Sequence, residues 1–235
     1  MIESPKTSTP VYSLYGARLC TFLWTMLLAM ESCARAGLPF VALGRPTPIS
    51  VLDPGCASFI GLHPLPMRHV MTTGELASLF HRERSLDADL TVIPCRGLQR
   101  HQWFDETGLP WVMASPNMPT LDTAAVYPGA VLLEGANLSE GRGTTPPFEI
   151  FGAPFLDAGD FAAQLNHWQL PAARFRPVWF RPTFDKWAGE LCGGAQLHVT
   201  DRAVFRPPGG CSDSPHGHRP RWRELRLAPA ALRIR

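Results

Sequence analysis

The chain has 235 residues, 45% of them hydrophobic, and a formal net charge of +2. That size and apolar content suit one large or two small globular domains with a real core, and so small a charge argues for neither a nucleic-acid nor a membrane partner. The balance is uneven, however: from Arg206 to Arg235 seven arginines face two acids, so that stretch carries +5 and the remainder −3.

Met1–Pro10 is polar with two prolines and shows no signal peptide. Cys20 to Ala36 is rich in helix formers and stops at Gly37, which predicts a helix. The apolar run Leu19–Met30, about a dozen residues, is too short to span a bilayer. Pro39–Leu43 is a short apolar run of the kind found in buried parallel strands. Thr72-Thr73-Gly74-Glu75 is a capping box opening a helix over Gly74–Arg84, with Leu76, Leu79 and Phe80 on one face. Leu90–Ile93 follows as a second strand. Helix, strand, helix and strand at these spacings predict an α/β fold.

From Arg96 to Pro154 the chain is rich in loop signals, including Pro110, Pro116, Pro119, Pro128, Pro146 and Pro147. A second unit is expected after a boundary near Gly152-Ala153-Pro154, with a helix over Asp160–Gln169 and strands over Arg174–Phe180 and Gln196–Thr200. Residues 207–235 are too poor in apolar surface to order readily and are expected to form a disordered basic tail. The organisation is therefore read as 1–152, 153–206 and 207–235. Six cysteines at 20, 33, 56, 95, 192 and 211 form no Cys-x-x-Cys pair, so neither a zinc site nor a redox motif is implied. Cys20, Cys33 and Cys95 read as small core residues. No glycine-rich turn directly follows the first strand, which argues against nucleotide binding.

The segment Leu133–Glu149 carries Glu134, Glu140, Glu149, Arg142, Asn137 and several hydroxyls around three glycines. Glycines let a backbone approach a ligand closely, so such a loop can aim several polar groups at one point.

That loop is one of many ordered motifs. Gly61–His69, Met71–Ala77, Trp103–Trp111, Ser115–Pro119, Tyr127-Pro128-Gly129, Glu134–Glu149, Phe184–Gly194 and His198–Asp201 together resemble the NamZ family of exo-β-N-acetylmuramidases. The resemblance runs from about Pro10 to Arg206. It implies a Rossmann-like parallel-sheet domain, a smaller α/β C-terminal domain and a cleft between them. It also implies removal of N-acetylmuramic acid from the non-reducing end of peptidoglycan fragments, with no organic cofactor or metal, and a periplasmic or secreted setting. Peptidoglycan-derived muramic acid saccharides are the expected partners, with no nucleic acid and no membrane insertion.

The sequence also departs from the family pattern. The family's first sheet strands and its Gly-Pro-Glu-His-Gly motif find no match in Met1–Gly16, and a helix and strand expected between Gly16 and Ala17 are missing. Leu43-Gly44-Arg45-Pro46-Thr47-Pro48 stands where the family reads Leu-Asp-Arg-Pro-Asn-Pro. A truncated, weakly active or inactive member is therefore expected. The alternative is a non-catalytic protein that binds cell-wall sugars.

Glycoside hydrolysis normally needs two carboxyls in different environments. Glu140 and Glu134 are the catalytic candidates, and Glu140 is equally readable as half of a loop salt bridge. Arg142 suits a bidentate grip on a lactyl carboxylate, or serves as a structural clamp. Asn137, Thr145 and Glu149 are candidates for sugar contacts, as is Asn117, held between two prolines. Glu134 and Glu149 each also read as caps of backbone groups at the loop ends, and Asn137 as a turn residue beside Ser139. His69 is a candidate acid, base or binding residue and equally a structural histidine, with Arg68 beside it as an anion ligand or a solvent-facing charge. His198 is expected in the core.

Overall fold

The computed structural model describes residues 16–17, 20–49, 63 and 65–207. The expectations for Met1–Tyr15 and for the tail beyond Pro207 lie outside these residues.

The first unit is built from two helices over a parallel strand pair. Helix α1 spans Thr21–Ala36 and buries Leu23, Trp24, Met26, Leu27 and Met30, a stripe at helical spacing. Gly37 ends it in the left-handed region at φ 62°, its N–H donating back to Ala34 O over 3.2 Å. Strands β1 (Phe40–Leu43) and β2 (Leu90–Ile93) pair in parallel, Phe40 opposite Leu90 and Leu43 opposite Ile93. Between them α2 (Thr73–Glu83) opens on the expected capping box: Glu75 N–H donates to Thr72 Oγ1 at 3.2 Å and Thr72 N–H to Glu75 Oε2 at 2.8 Å. Leu76 and Phe80 are fully buried, and Phe80 meets the Trp24 ring at 5.9 Å. The outer side of the strand pair stays open, with Val41, Leu43 and Ile93 about half exposed.

The second unit is an antiparallel sheet in the order β3-β5-β4, formed by Ile150–Ala153, Cys192–Val199 and Ala173–Phe180. Helix α4 (Ala158–His167) starts at Asp157, whose carboxylate accepts from Asp160 N–H at 2.9 Å, two residues earlier than the sequence suggests. Asn166 pins it to β4, bonding both the N–H and the C=O of Phe175.

Three elements escape the periodicity argument. Helix α3 (Leu121–Ala130) is buried at every residue from Thr123 to Ala130, so it has no polar face, and Pro128 lies inside it. Strand β3 is only four residues long, is buried throughout, and falls on the expected domain boundary. A division at Gly152 would cut this strand from β5, to which it is hydrogen-bonded. Strand β5 starts four residues before the expected Gln196, because Gly193 and Gly194 weaken the strand signal. Glycine is required there, since a Cβ on Gly193 would lie 2.2 Å from Leu156 O.

The two units are tied together by the segment Asp201–Pro207. Arg202 bonds Asp105 at 2.6 Å and Asp122 at 3.0 Å and lies over the Trp103 ring, while Phe205 is buried and its carbonyl accepts from Arg68. Among the described residues, no helix is long and apolar enough to cross a membrane. Cys33, Cys95 and Cys192 are free thiols; Cys20 is in the core, whereas Cys33 and Cys95 are half-buried.

Candidate active site

The loop that dominates the sequence docks onto the free edge of β3. Ser139 and Gly152 exchange both backbone hydrogen bonds, at 2.8 and 3.0 Å. Gly141 takes φ 79°, and a Cβ there would come within 2.4 Å of Ile150 O, so only glycine lets the loop lie this close to the strand. Beyond it, Gly143 O accepts both the N–H and the hydroxyl of Thr183, which brings in the segment Thr183–Trp187.

At this junction Glu140 is buried, with 1% of its surface exposed. One carboxylate oxygen receives Arg142 Nε at 3.0 Å and the other Lys186 Nζ at 3.2 Å. Arg142 also bonds Glu134 and lies 3.8 Å from Asp185, with its guanidinium 5.2 Å above the Phe148 ring. Burial by itself would lower the Arg142 pKa. The hydrogen bond to Glu134 and the charges of Glu134, Glu140 and Asp185 outweigh it and raise the pKa instead. Lys186 Nζ additionally donates to the carbonyls of Leu133, Glu134 and Leu138, at 3.0, 2.8 and 3.2 Å. A compact ammonium suits this round cage of oxygens, whereas a planar guanidinium fork would not fit it.

The structure thus brings Glu134, Glu140 and Arg142 together and adds Asp185 and Lys186, which the residue-by-residue reading did not weigh. The available signal was composition: Lys186 is one of two lysines in a chain with 20 arginines. Backbone strain marks the same segment, since Asp185 and Trp187 have φ of 68° and 59°. Glu134 and Asp185 keep exposed carboxylates, and among the described residues Arg142 Nη1 meets no partner. Three acids face two cations, which leaves one excess negative charge.

The other candidates lie around or away from this cluster. Asn137 accepts the Trp187 indole N–H on its backbone carbonyl and remains partly exposed, and Thr145 is exposed. Glu149 accepts from the hydroxyls of Thr120 and Thr123, which ties the loop's end to the start of α3. Asn117 lies in the turn before α3, partly exposed, with its N–H on Ser115 Oγ. Arg68 is fully buried, its Nη2 donating to Phe205 O at 3.4 Å, so it faces no solvent. His69 is 2% exposed; its Nδ1 accepts from Met71 N–H at 3.2 Å, and its Nε2 has no partner among the described residues. Burial lowers its pKa from 6.5 to about 4, so it is neutral at physiological pH. His198, expected in the core, is exposed on β5, because its side chain points away from α4 in the alternation of the strand. Among the described residues, no group of three or more His, Cys, Asp or Glu side chains is arranged to hold a metal ion.

Comparison with known proteins locates the chain in a family. The models for the N-terminal and C-terminal parts of exo-β-N-acetylmuramidase NamZ match residues 11–122 and 125–210. A Bacillus subtilis (strain 168) protein named peptidoglycan β-N-acetylmuramidase NamZ is 46% identical over 231 residues, covering 85% of this chain and 56% of that protein. Two solved structures of DUF1343 family proteins from Bacteroides fragilis NCTC 9343 are similar. One has a TM-score of 0.75 at 31% identity, covering 81% of this chain and 52% of its own. The other has a TM-score of 0.66 at 28% identity, covering 82% and 53%. The chain therefore spans about half the length of these relatives. With both family models matched in order along nearly all of its described residues, the chain belongs to the NamZ family.

Proposed function

We propose that the chain hydrolyses a terminal β-linked N-acetylmuramic acid from peptidoglycan fragments; its Bacillus subtilis relative is named a peptidoglycan β-N-acetylmuramidase, and the family models that match this chain are named for an exo-β-N-acetylmuramidase. The observation that carries this reading is the pair Glu134 and Glu140 on one arginine, the first exposed and the second sealed. A glycosidase needs a carboxyl that reaches its substrate from an environment set by its neighbours. Glu134 is the carboxyl that meets substrate. Glu140, with both oxygens occupied, is a positioning residue that fixes Arg142 and Lys186. Because the cluster carries one excess negative charge, Arg142 Nη1 suits a hydroxyl or acetamido oxygen better than a lactyl carboxylate. Asn137 and Thr145 complete the polar rim. His69 and Arg68 support the fold, and Glu149 ties the loop's end to the start of α3 through the hydroxyls of Thr120 and Thr123.

The full occupancy of Glu140 also favours a second reading, in which the loop binds cell-wall sugars without cleaving them. Release of chromophore from an aryl β-N-acetylmuraminide separates the two. The hydrolase reading expects release that Glu134→Gln abolishes while leaving the folded state intact. Saccharide binding with no release above the uncatalysed background would leave the binding reading alone.

A further inference from the structure

One ammonium organises the acidic loop from a distant part of the chain. Lys186 Nζ donates to the carbonyls of Leu133, Glu134 and Leu138 at 3.0, 2.8 and 3.2 Å, and to Glu140 Oε2 at 3.2 Å. An ammonium has three protons, so four oxygens at nearly equal distances surround it as they would surround an ion. Together they carry one formal negative charge and otherwise only carbonyl dipoles, which suits a monovalent cation. The distances exceed the roughly 2.0–2.6 Å at which oxygens hold magnesium or calcium. Ammonium fits this spacing, and so does potassium, an ion of similar size.

The chain bends sharply to deliver that charge. Asp185 and Trp187, on either side of Lys186, both take left-handed backbone, at φ 68° and 59°, which residues other than glycine seldom adopt. Contacts on each side hold the bend: Thr183 donates to Gly143 O, Gly189 N–H to Pro182 O at 2.8 Å, and the Trp187 indole N–H to Asn137 O at 3.3 Å. Lys186 is partly exposed, so small ions can reach its cage. Three of the cage oxygens come from Leu133–Leu138, a stretch that includes the end of the 3₁₀ turn Val131–Gly135. Without a cation these oxygens would point at one another, and the stretch would have to open. Glu134 gives its carbonyl to the cage and its carboxylate to Arg142, so Lys186 holds the backbone of the residue whose side chain Arg142 aims.

We propose that Lys186 is a tethered cation that positions Glu134, filling a monovalent-cation site that ammonium or potassium enters once the side chain is removed. Only the statement that Glu134 meets substrate rests on the muramidase reading. Lys186→Ala, made in the full chain, is expected to unfold at a lower temperature than the parent. Saturating ammonium or potassium chloride is expected to raise its Tm by about 4 °C over lithium or tetramethylammonium chloride at equal ionic strength. The parent chain is expected to show no such preference. An equal response in parent and variant, or none in the variant, would overturn the proposal.

Should Lys186→Ala fail to fold, the cage is read with its ammonium in place. In Lys6→Arg, Lys186 is the one remaining lysine, and its ¹⁵Nζ signal is expected to exchange protons with water about tenfold more slowly than free lysine. Exchange as fast as in free lysine would overturn the proposal. Activity separates positioning from stability. On an aryl β-N-acetylmuraminide, below the Tm of the variant, Lys186→Ala is expected to lower kcat about a hundredfold with KM little changed, and ammonium to recover part of the loss. An unchanged kcat, or a loss that ammonium leaves untouched, would sink the proposal while the muramidase reading stands. If the parent releases no chromophore but ammonium still raises the Tm of the variant, the cage stands and the muramidase reading falls.

Discussion

The two units handle buried polar groups in opposite ways. Around the parallel pair β1–β2, His69 is enclosed, with an Nε2 unpartnered among the described residues, and kept neutral by desolvation. Beside the antiparallel sheet, Glu140 is enclosed just as fully but receives Arg142 and Lys186 on its two oxygens. A neutral imidazole tolerates an apolar shell, whereas a buried carboxylate stays charged only if cations come in with it. The first arrangement is sensitive to pH, and the second to the loss of any one member.

The largest expected effect breaks the second arrangement. Glu140→Ala leaves Arg142 and Lys186 facing an empty buried position and should cost about 4 kcal/mol of folding stability, read from urea denaturation at neutral pH. A loss no larger than that of an exposed carboxylate would reduce the cage to a surface ion pair.

The first arrangement is tested by acid. The folded-state pKa of His69 lies below its unfolded value, about 4 against 6.5, so its contribution is complete above pH 6.5. As pH falls from 6.5 towards 4 the unfolded chain takes up the proton and the folded chain does not, and about 3 kcal/mol is lost. His69→Asn retains an acceptor for Met71 N–H and should flatten this part of the stability profile. An equally steep profile in the variant would assign the loss to other groups.

Two glycines sharpen the contrast further. Gly141→Ala forces a Cβ to 2.4 Å from the Ile150 carbonyl in a left-handed backbone, which should cost about 2 kcal/mol and displace the loop. Gly37→Ala meets the same backbone penalty at the end of α1 but finds nothing within 4 Å, so about 1 kcal/mol is expected. Thermal unfolding of the two variants side by side measures the difference. Equal shifts would mean that the loop yields to the added methyl group without strain.

Much of the first unit was legible residue by residue. The capping box Thr72–Glu75, the stop at Gly37 and the apolar runs Phe40–Leu43 and Leu90–Ile93 act locally, so periodicity and capping reveal them. In the second unit α3 was hidden because it is buried all round, and β5 lost its first half because close backbone contacts require glycines. At the candidate site the sequence pointed to Glu140 and Arg142 as neighbours on one loop. It did not reveal Lys186, 46 residues further on in the chain, nor that Glu140 faces inward.

The amino-acid sequence by itself determined the family, the α/β character of the chain and the loop in which the polar groups concentrate, because these rest on local motifs and composition. Only the tertiary structure decided which carboxylate is sealed and which is open, and that His69 and Arg68 are buried. Burial and charge pairing depend on which distant segments pack together, and no local pattern of residues specifies that.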